Sequence, residues 1–496
     1  MMLMGSIYAA IVLTVLLAGI ALAPLVQRRF SGRWPLRLCL VFFVWALAVF
    51  HVHTANPRRH RLFMDEDAYA NISRNLASYA SPSLTVAFTP AGKVALPYKW
   101  PGGFPSVIFP FIRLYGAETG PALTNELVGG LTLALVMWFA ARLAADWKAS
   151  VAAAFFWGLQ PLVIPWYRSG SSEPVATLFL LISLYAGVEC RLAQRMRSCW
   201  PAIAVLTALL AVHTRLENVL VFIPLVILLW GRLRTPSWAA IMAIPVCLAL
   251  ATYFGLHVIG LRTFYLSGLP ESNFSLKWAR DTLSANMQFL LEDGAAILAL
   301  GVVAVIWVAV RALRPRGDRS FWQVPAVLLA FTGLMFAVLL FYSVGQYRYG
   351  GGTRFLLLPT AILSVLSGAA LCNLVTRRGR QWVAAAILLG LFTAGARKPD
   401  PAGNTTVSPQ REHDAVERWV SLVPANAIVI SRFPFLWEDF GRFSLTPEYA
   451  CGKQFGGSPL YFHFGLVSSS DEWPAGMTPL ARVITADGAI CLFRLR

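Results

Sequence analysis

Met64-Asp65-Glu66-Asp67-Ala68-Tyr69-Ala70-Asn71-Ile72-Ser73-Arg74 sets three acids at the head of a short amphipathic segment, in a chain otherwise dominated by apolar runs. Ionisable groups beside a bilayer are costly and as a rule mark a site. Tyr69, Ile72, Leu76 and Tyr79 recur at helical spacing. That spacing predicts a helix whose apolar stripe lies on the membrane while its carboxylates crowd the first turn. The competing reading is ordinary capping, with Asp65 as N-cap and Glu66 and Asp67 complementing the positive helix end.

Around this stretch the composition is that of a membrane protein. Hydrophobic residues make up 57% of the 496 and charged residues only 13%, with mean hydropathy +0.61. These values exclude a soluble globular chain and a disordered one. Apolar runs fall at roughly 7–26, 36–53, 121–141, 150–165, 174–189, 200–212, 217–230, 238–260, 294–310, 322–343, 355–375 and 381–396, about twelve spans by the length rule. The first lacks a basic leader and a small-residue cleavage site, so it reads as a retained span. The fold class is therefore an all-α polytopic membrane protein with a small exported C-terminal α/β domain. The boundaries are 1–396 for the membrane domain, including an outer loop at 54–120, and 397–496 for the exported one.

Orientation follows from the basic loops. Arg28, Arg29, Arg33 and Arg37, then Arg191, Arg195 and Arg197, then Arg232 and Arg234, Arg311 to Arg319, and Arg377 to Arg380 fall in alternate loops, as cytoplasmic loops do. The loops at 54–120, 166–173, 261–293 and 344–354 and the chain from about 397 then face outward. Parity also divides 200–230 into two short helices with His213, Thr214, Arg215 and Glu217 at the outer turn. Most of the net charge of +18 is explained by this topology, and no basic, aromatic-interleaved surface suggests nucleic acid. Outward Arg and Lys suit a phosphate-bearing lipid.

The cysteines have no metal-ligand spacing. Only Cys451 and Cys491 share the exported tail, where an oxidising compartment permits a disulfide. In that tail, 414–422 reads as a helix, 427–430 as a buried strand, and 483–485 with 490–493 as a hairpin. Trp419, Trp437, Tyr449, Tyr461 and Trp473 are either sugar-stacking faces or its small core.

Four outward features carry the chemistry. The acids 65–67 are the first. In Pro97-Tyr98-Lys99-Trp100-Pro101-Gly102-Gly103-Phe104-Pro105 prolines and glycines oppose a regular helix, and Lys99 is a lone cation among aromatics. Tyr167-Arg168-Ser169-Gly170-Ser171-Ser172-Glu173-Pro174 sets a carboxylate at the mouth of a span, where plain capping by Ser172 is the bland alternative. Tyr347-Arg348-Tyr349-Gly350-Gly351-Gly352-Thr353-Arg354-Phe355 delivers Arg354 to the end of an apolar helix. Together they supply a carboxylate to take a hydroxyl proton and cations for a departing phosphate. No nucleotide-binding glycine pattern occurs in a cytoplasmic loop.

Asp65-Glu66-x-x-Tyr69-Ala70-x-Ile72-Ser73-Arg74 resembles the first-loop signature of the GT-C glycosyltransferases, in the bacterial branch of lipid A aminoarabinose transferases and protein O-mannosyltransferases. The resemblance implies an inverting transfer of a sugar from a polyprenyl-phosphate donor to a lipid, glycan or protein acceptor at the outer face of a bacterial inner membrane. It implies Asp65 as the catalytic aspartate, Glu173 as a second acid facing the cavity and Lys99 on the carrier phosphate, with Arg215, Glu217 and Arg354 at recurrent polar positions. The residues' own chemistry adds Glu66 to the catalytic acids and sets Arg354 and Arg215 beside Lys99 on the donor phosphate. Tyr69, Tyr98 and Glu217 become substrate contacts. A divalent cation is the one cofactor left open. Two spans precede the acidic loop where many relatives have one, and Tyr98 stands where some place an acid. The alternative function is a secondary transporter of a small anionic or sugar-like solute, which about twelve spans and membrane-level charges also suit.

Overall fold

The computed structural model describes residues 65–76, 83–97, 102–158, 160, 162, 164–192, 199–233, 243–244, 247, 251, 275–313, 319–342, 345–347, 352–374, 409–450, 461–467, 479–485 and 488–495. Two expected spans at the N-terminus and those at 238–260 and 381–396 fall wholly or largely outside them. So do Tyr79, Tyr98, Lys99, Cys451 and Trp473.

The acids open helix α1 (Asp65–Leu76). A hairpin of β1 (Ser83–Thr89) and β2 (Gly92–Pro97) follows. Helix α2 (Gly103–Ala144) is broken at Gly116, whose φ of 81° is a backbone that side-chain-bearing residues rarely adopt. Its start corrects the expectation of irregular chain through Pro105. The proline falls in the first helical turn, where no intrahelical partner needs its missing N–H.

Helix α3 (Lys148–Gly158) has 11 residues, too few to cross a bilayer alone. The expected span at 150–165 instead gives way to a 3-10 turn at Ile164–Arg168, in a stretch carrying Pro161 and Pro165. Helix α4 (Glu173–Leu192) is followed by two short helices, α5 (Trp200–Thr214) and α6 (Phe222–Leu233), joined through a 3-10 turn at Leu216–Val221. That is the division charge parity required. Helices α7 (Lys277–Glu292), α8 (Ala295–Ala312), α9 (Arg319–Leu340) and α10 (Leu357–Leu374) complete the helical body, α10 entered through a 3-10 turn at Gly352–Leu356. Among the described residues five helices are long and apolar enough to cross a membrane: Gly103–Ala144, Glu173–Leu192, Ala295–Ala312, Gln323–Leu340 and Gly352–Asn373.

Beyond these come α11 (Pro409–Trp419), β3 (Ile428–Ser431), α12 (Pro434–Glu438), β4 (Phe443–Leu445), α13 (Pro447–Ala450), β5 (Tyr461–Val467), β6 (Ala481–Thr485) and β7 (Gly488–Leu495). One seven-stranded sheet runs β2-β1-β4-β3-β5-β7-β6. Its β3 is parallel to β4 and β5, and the other pairings are antiparallel. The β1–β2 hairpin is thus the edge of a sheet whose other strands lie more than 300 residues along the chain.

Helix α1 does not lie on a membrane surface. All of its residues except Arg74 are buried, between two cores. Tyr69 and Ala70 join the core of the helical body, Tyr69 meeting Phe104 edge-on at 5.1 Å, a contact worth about 0.5–1.5 kcal/mol beyond its area. Ala68, Ile72 and Leu76 join the core beneath the sheet, with Leu84, Phe435 and Trp437. Both faces of the helix are therefore packed. Trp419 and Trp437 belong to that second core and present no face to a sugar.

Candidate active site

Asp65 and Glu66 sit in the first turn of α1 and are largely withdrawn from water. Each has a different neighbour. The Oε2 of Glu66 accepts the backbone N–H of Gly170 at 2.7 Å. A Cβ at position 170 would stand 2.9 Å from that oxygen and 3.1 Å from Pro121 Cβ, so any larger residue would press on the Glu66 carboxylate.

The loop bearing Gly170 is pinned from several sides. Asn125, from α2, donates through Nδ2 to the carbonyls of Ser169 and Ser171, both at 2.7 Å. Ser169 Oγ donates to the Trp166 carbonyl at 2.9 Å, and Trp166 Nε1 to Thr353 Oγ1 at 3.0 Å. The hydroxyls of Tyr69 and Ser172 meet at 3.1 Å. This loop feeds α4, whose first residue is Glu173, and the Ser172 carbonyl accepts an early helical bond from Ala176. Ser172 therefore belongs both to the helix start and to the site.

Glu173 lies between two guanidinium groups. Arg354 Nε is 3.0 Å from Glu173 Oε1, and Arg215 Nη1 pairs with the same oxygen. Arg354 also reaches Asp65, Nη1 to Oδ2 at 3.5 Å, while Arg215 pairs with Glu217. Phe355 stacks against both cations, 5.1 Å from Arg354 and 5.6 Å from Arg215. The chain of charges runs Asp65, Arg354, Glu173, Arg215, Glu217. Among the described residues it holds three carboxylates and two arginines.

Burial pushes the Tyr69 hydroxyl well above its usual range, with Arg215 pulling the other way and Asp65 adding to the rise. Tyr69 is thereby kept as a protonated hydrogen-bonding group. Tyr342, just past α9, is raised first by burial and then by Glu217, and its ring meets Phe355 edge-on at 6.1 Å. It is a wall of the site.

Seven residues expected from sequence converge here: Asp65, Glu66, Tyr69, Glu173, Arg215, Glu217 and Arg354. Asn125, Gly170, Ser172, Tyr342 and Phe355 join them. Asn125 left one signal, an amide within an apolar run. Both arginines on Glu173 suit charge neutralisation and do not fit a divalent cation on that carboxylate. Among the described residues, the group of three metal-ligating side chains with donors within 4.8 Å of one another is His413, Asp414 and Glu417 on α11. It lies on a different helix from any of the site acids.

No protein-family model and no curated protein sequence matches the chain. Solved structures do. The apo oligosaccharyltransferase of Archaeoglobus fulgidus superposes with TM-score 0.53 at 14% identity, over 86% of this chain and 66% of that one. The chain thus spans about two thirds of that enzyme's length. ArnT from Cupriavidus metallidurans, solved bound to undecaprenyl phosphate, superposes with TM-score 0.52 at 15% identity, over 94% of this chain and 98% of that one. Both neighbours are GT-C glycosyltransferases, and the chain has the fold they share.

Proposed function

We propose that the protein is a membrane glycosyltransferase that moves a monosaccharide from a polyprenyl-phosphate carrier to a hydroxyl of a lipid, glycan or protein at the outer membrane face. The observation that carries this reading is the pairing of Asp65 with Arg354. A carboxylate able to take a proton stands within 3.5 Å of a cation able to hold phosphate, at the end of a helical body with the fold of ArnT, which was solved with undecaprenyl phosphate.

In the proposed step the acceptor oxygen attacks the anomeric carbon and its proton passes to Asp65. The new C–O bond forms as the bond between that carbon and the phosphate oxygen breaks. The leaving polyprenyl phosphate keeps the electron pair, and its growing charge is met by Arg354, Arg215 and Lys99. One displacement inverts the anomeric centre. Donor phosphate competes with Glu173 for the two arginines, and the long Asp65–Arg354 contact is the one most readily exchanged. Phosphate binding then draws Arg354 from Asp65, raising the basicity of that carboxylate, while Glu66 keeps its backbone tether.

The test is transfer by purified protein in detergent or nanodiscs from a polyprenyl-phosphate sugar, with the product's anomeric configuration read by NMR. Transfer from a nucleotide sugar with no lipid donor present overturns the reading. Solute uptake into proteoliposomes without any covalent product would move the assignment to a transporter.

A further inference from the structure

We infer that Glu438 and Asp439, at the end of α12, are positioning residues for the acid helix and hold Asp65 in register with Arg354. The inference rests on the glycosyl-transfer reading for its activity arm only. Asn71 Nδ2 donates to Glu438 Oε2 at 3.0 Å, and the other carboxylate oxygen of Glu438 pairs with Lys93 of β2. Arg74 pairs with Asp439. The side chains of Glu438 and Asp439 are only 14% and 16% exposed, so solvent screens these pairs less than surface ones.

Asn71 is also tied on its other side. Its Oδ1 accepts the backbone N–H of Thr85 at 3.0 Å and the Asn75 amide at 3.1 Å, and Asn75 in turn donates to the Ser83 carbonyl at 2.8 Å. The helix is therefore gripped by the hairpin and by α12 at once. Asp65 lies six residues upstream of Asn71, about 9 Å at 1.5 Å per residue. A helix of that length is stiff enough to carry a shift at Asn71 or Arg74 to its acidic end. Displacement of a reacting group by about 1 Å costs on the order of 10²-fold in rate.

The grip itself has a firm base. Pro434 to Trp437 are buried, in large part within the core that holds Ile72 and Leu76. Ser444 Oγ donates to the Pro434 carbonyl at 2.7 Å. Losing either acid's charge weakens the pairs with half-buried Arg74 and Lys93 and the bond from buried Asn71, loosening α1 while α12 stays in place.

Glu438→Gln and Asp439→Asn should each lower kcat by roughly 10- to 100-fold and leave the donor KM near its wild-type value. Hydrogen exchange of residues 65–76 should quicken in both variants while exchange in α4 and α8 stays unchanged. The reciprocal exchange Arg74→Asp with Asp439→Arg should restore most of the kcat lost in Asp439→Asn. Wild-type kcat with unchanged exchange over 65–76 in both variants would overturn the inference. So would a loss of kcat accompanied by a matching fall in Tm and no recovery in the reciprocal pair. If wild-type protein transfers no sugar from a lipid donor, the functional reading fails, while the exchange experiment still decides the positioning role.

Discussion

Asp65 and Glu66 are adjacent carboxylates with different neighbours, and under the proposed reaction that difference assigns the base to Asp65 and the anchor to Glu66. Asp65 faces a cation at long distance, whereas Glu66 is committed to a backbone N–H. Asp65→Asn removes the proton acceptor at nearly constant shape, so turnover should fall by about two to four powers of ten. Glu66→Gln keeps a carbonyl oxygen for Gly170 and should cost far less. Initial rates of sugar transfer on well-folded variants compare them, and near-normal turnover in Asp65→Asn would relocate the base. Arg354 makes the complementary case. Its fork can hold two phosphate oxygens where a lysine offers a point charge, so Arg354→Lys should raise the donor KM about tenfold or more while the acceptor KM stays put.

Half-buried Glu412, on α11, offers a pH test at the same scale. Burial raises its carboxyl from 4.5 to about 7, with Arg432 pulling it down and Asp67 of the acid helix pushing it up. The folded state therefore holds this proton more tightly than the unfolded chain does. Its contribution is fully present below the unfolded value and is lost as pH rises through about 7. Glu412→Gln should remove that component of the slope, so Tm at pH 8 exceeds wild type while the two converge near pH 4. Thermal scans across the range read this directly, and parallel curves would refute it.

Among the elements, the loop from Ser169 to Ser172 shows what a short glycine-bearing segment does between a 3-10 turn and a helix. A methyl at Gly170 would stand 2.9 Å from the Glu66 carboxylate oxygen and 3.1 Å from Pro121, so the Glu66 carboxylate must shift and its bond to the residue 170 N–H is disturbed. Gly170→Ala should therefore lower kcat by roughly tenfold, following the steep dependence of rate on placement. Unchanged kcat in a folded Gly170→Ala protein would show that Glu66 does not depend on this loop. Of its flanks, α4 was legible in the sequence and the 3-10 turn at Ile164–Arg168, where a span was expected, was not. Helices α4, α8, α9 and α10 read as uniform apolar runs, and the α5–α6 pair followed from the sign of neighbouring loops. The setting of α1 was not legible. Its stripe of Tyr69, Ile72 and Leu76 gives the same period on a membrane and between two cores, and Asn71 finds Glu438 across 367 residues. Local periodicity says which residues are apolar, not what covers them.

For the whole molecule, the sheet is the joint between its two ends. Strands β3 to β7 come from the C-terminal region and β1 and β2 from the loop that follows the acids, with Ala87 and Phe88 of β1 paired to Leu445 and Ser444 of β4. A C-terminal region that selects the acceptor and one that completes the acid helix make different predictions for a chain cut near residue 400. In the first case transfer continues with altered acceptor use. In the second, Ile72 and Leu76, 0% and 1% exposed, lose their covering core, a cost of about 1.5–3 kcal/mol for each fully exposed side chain. Arg74 and Lys93 lose Asp439 and Glu438 as well. The structure favours the second outcome: the truncated chain should keep its helical content in detergent but lose transfer to every acceptor, and protease should cut within 65–76 and 83–97 faster than in the full chain. A truncated protein that transfers at the wild-type rate would show that α1 holds its place on the helical body alone, through Tyr69, Phe104 and the Gly170 loop.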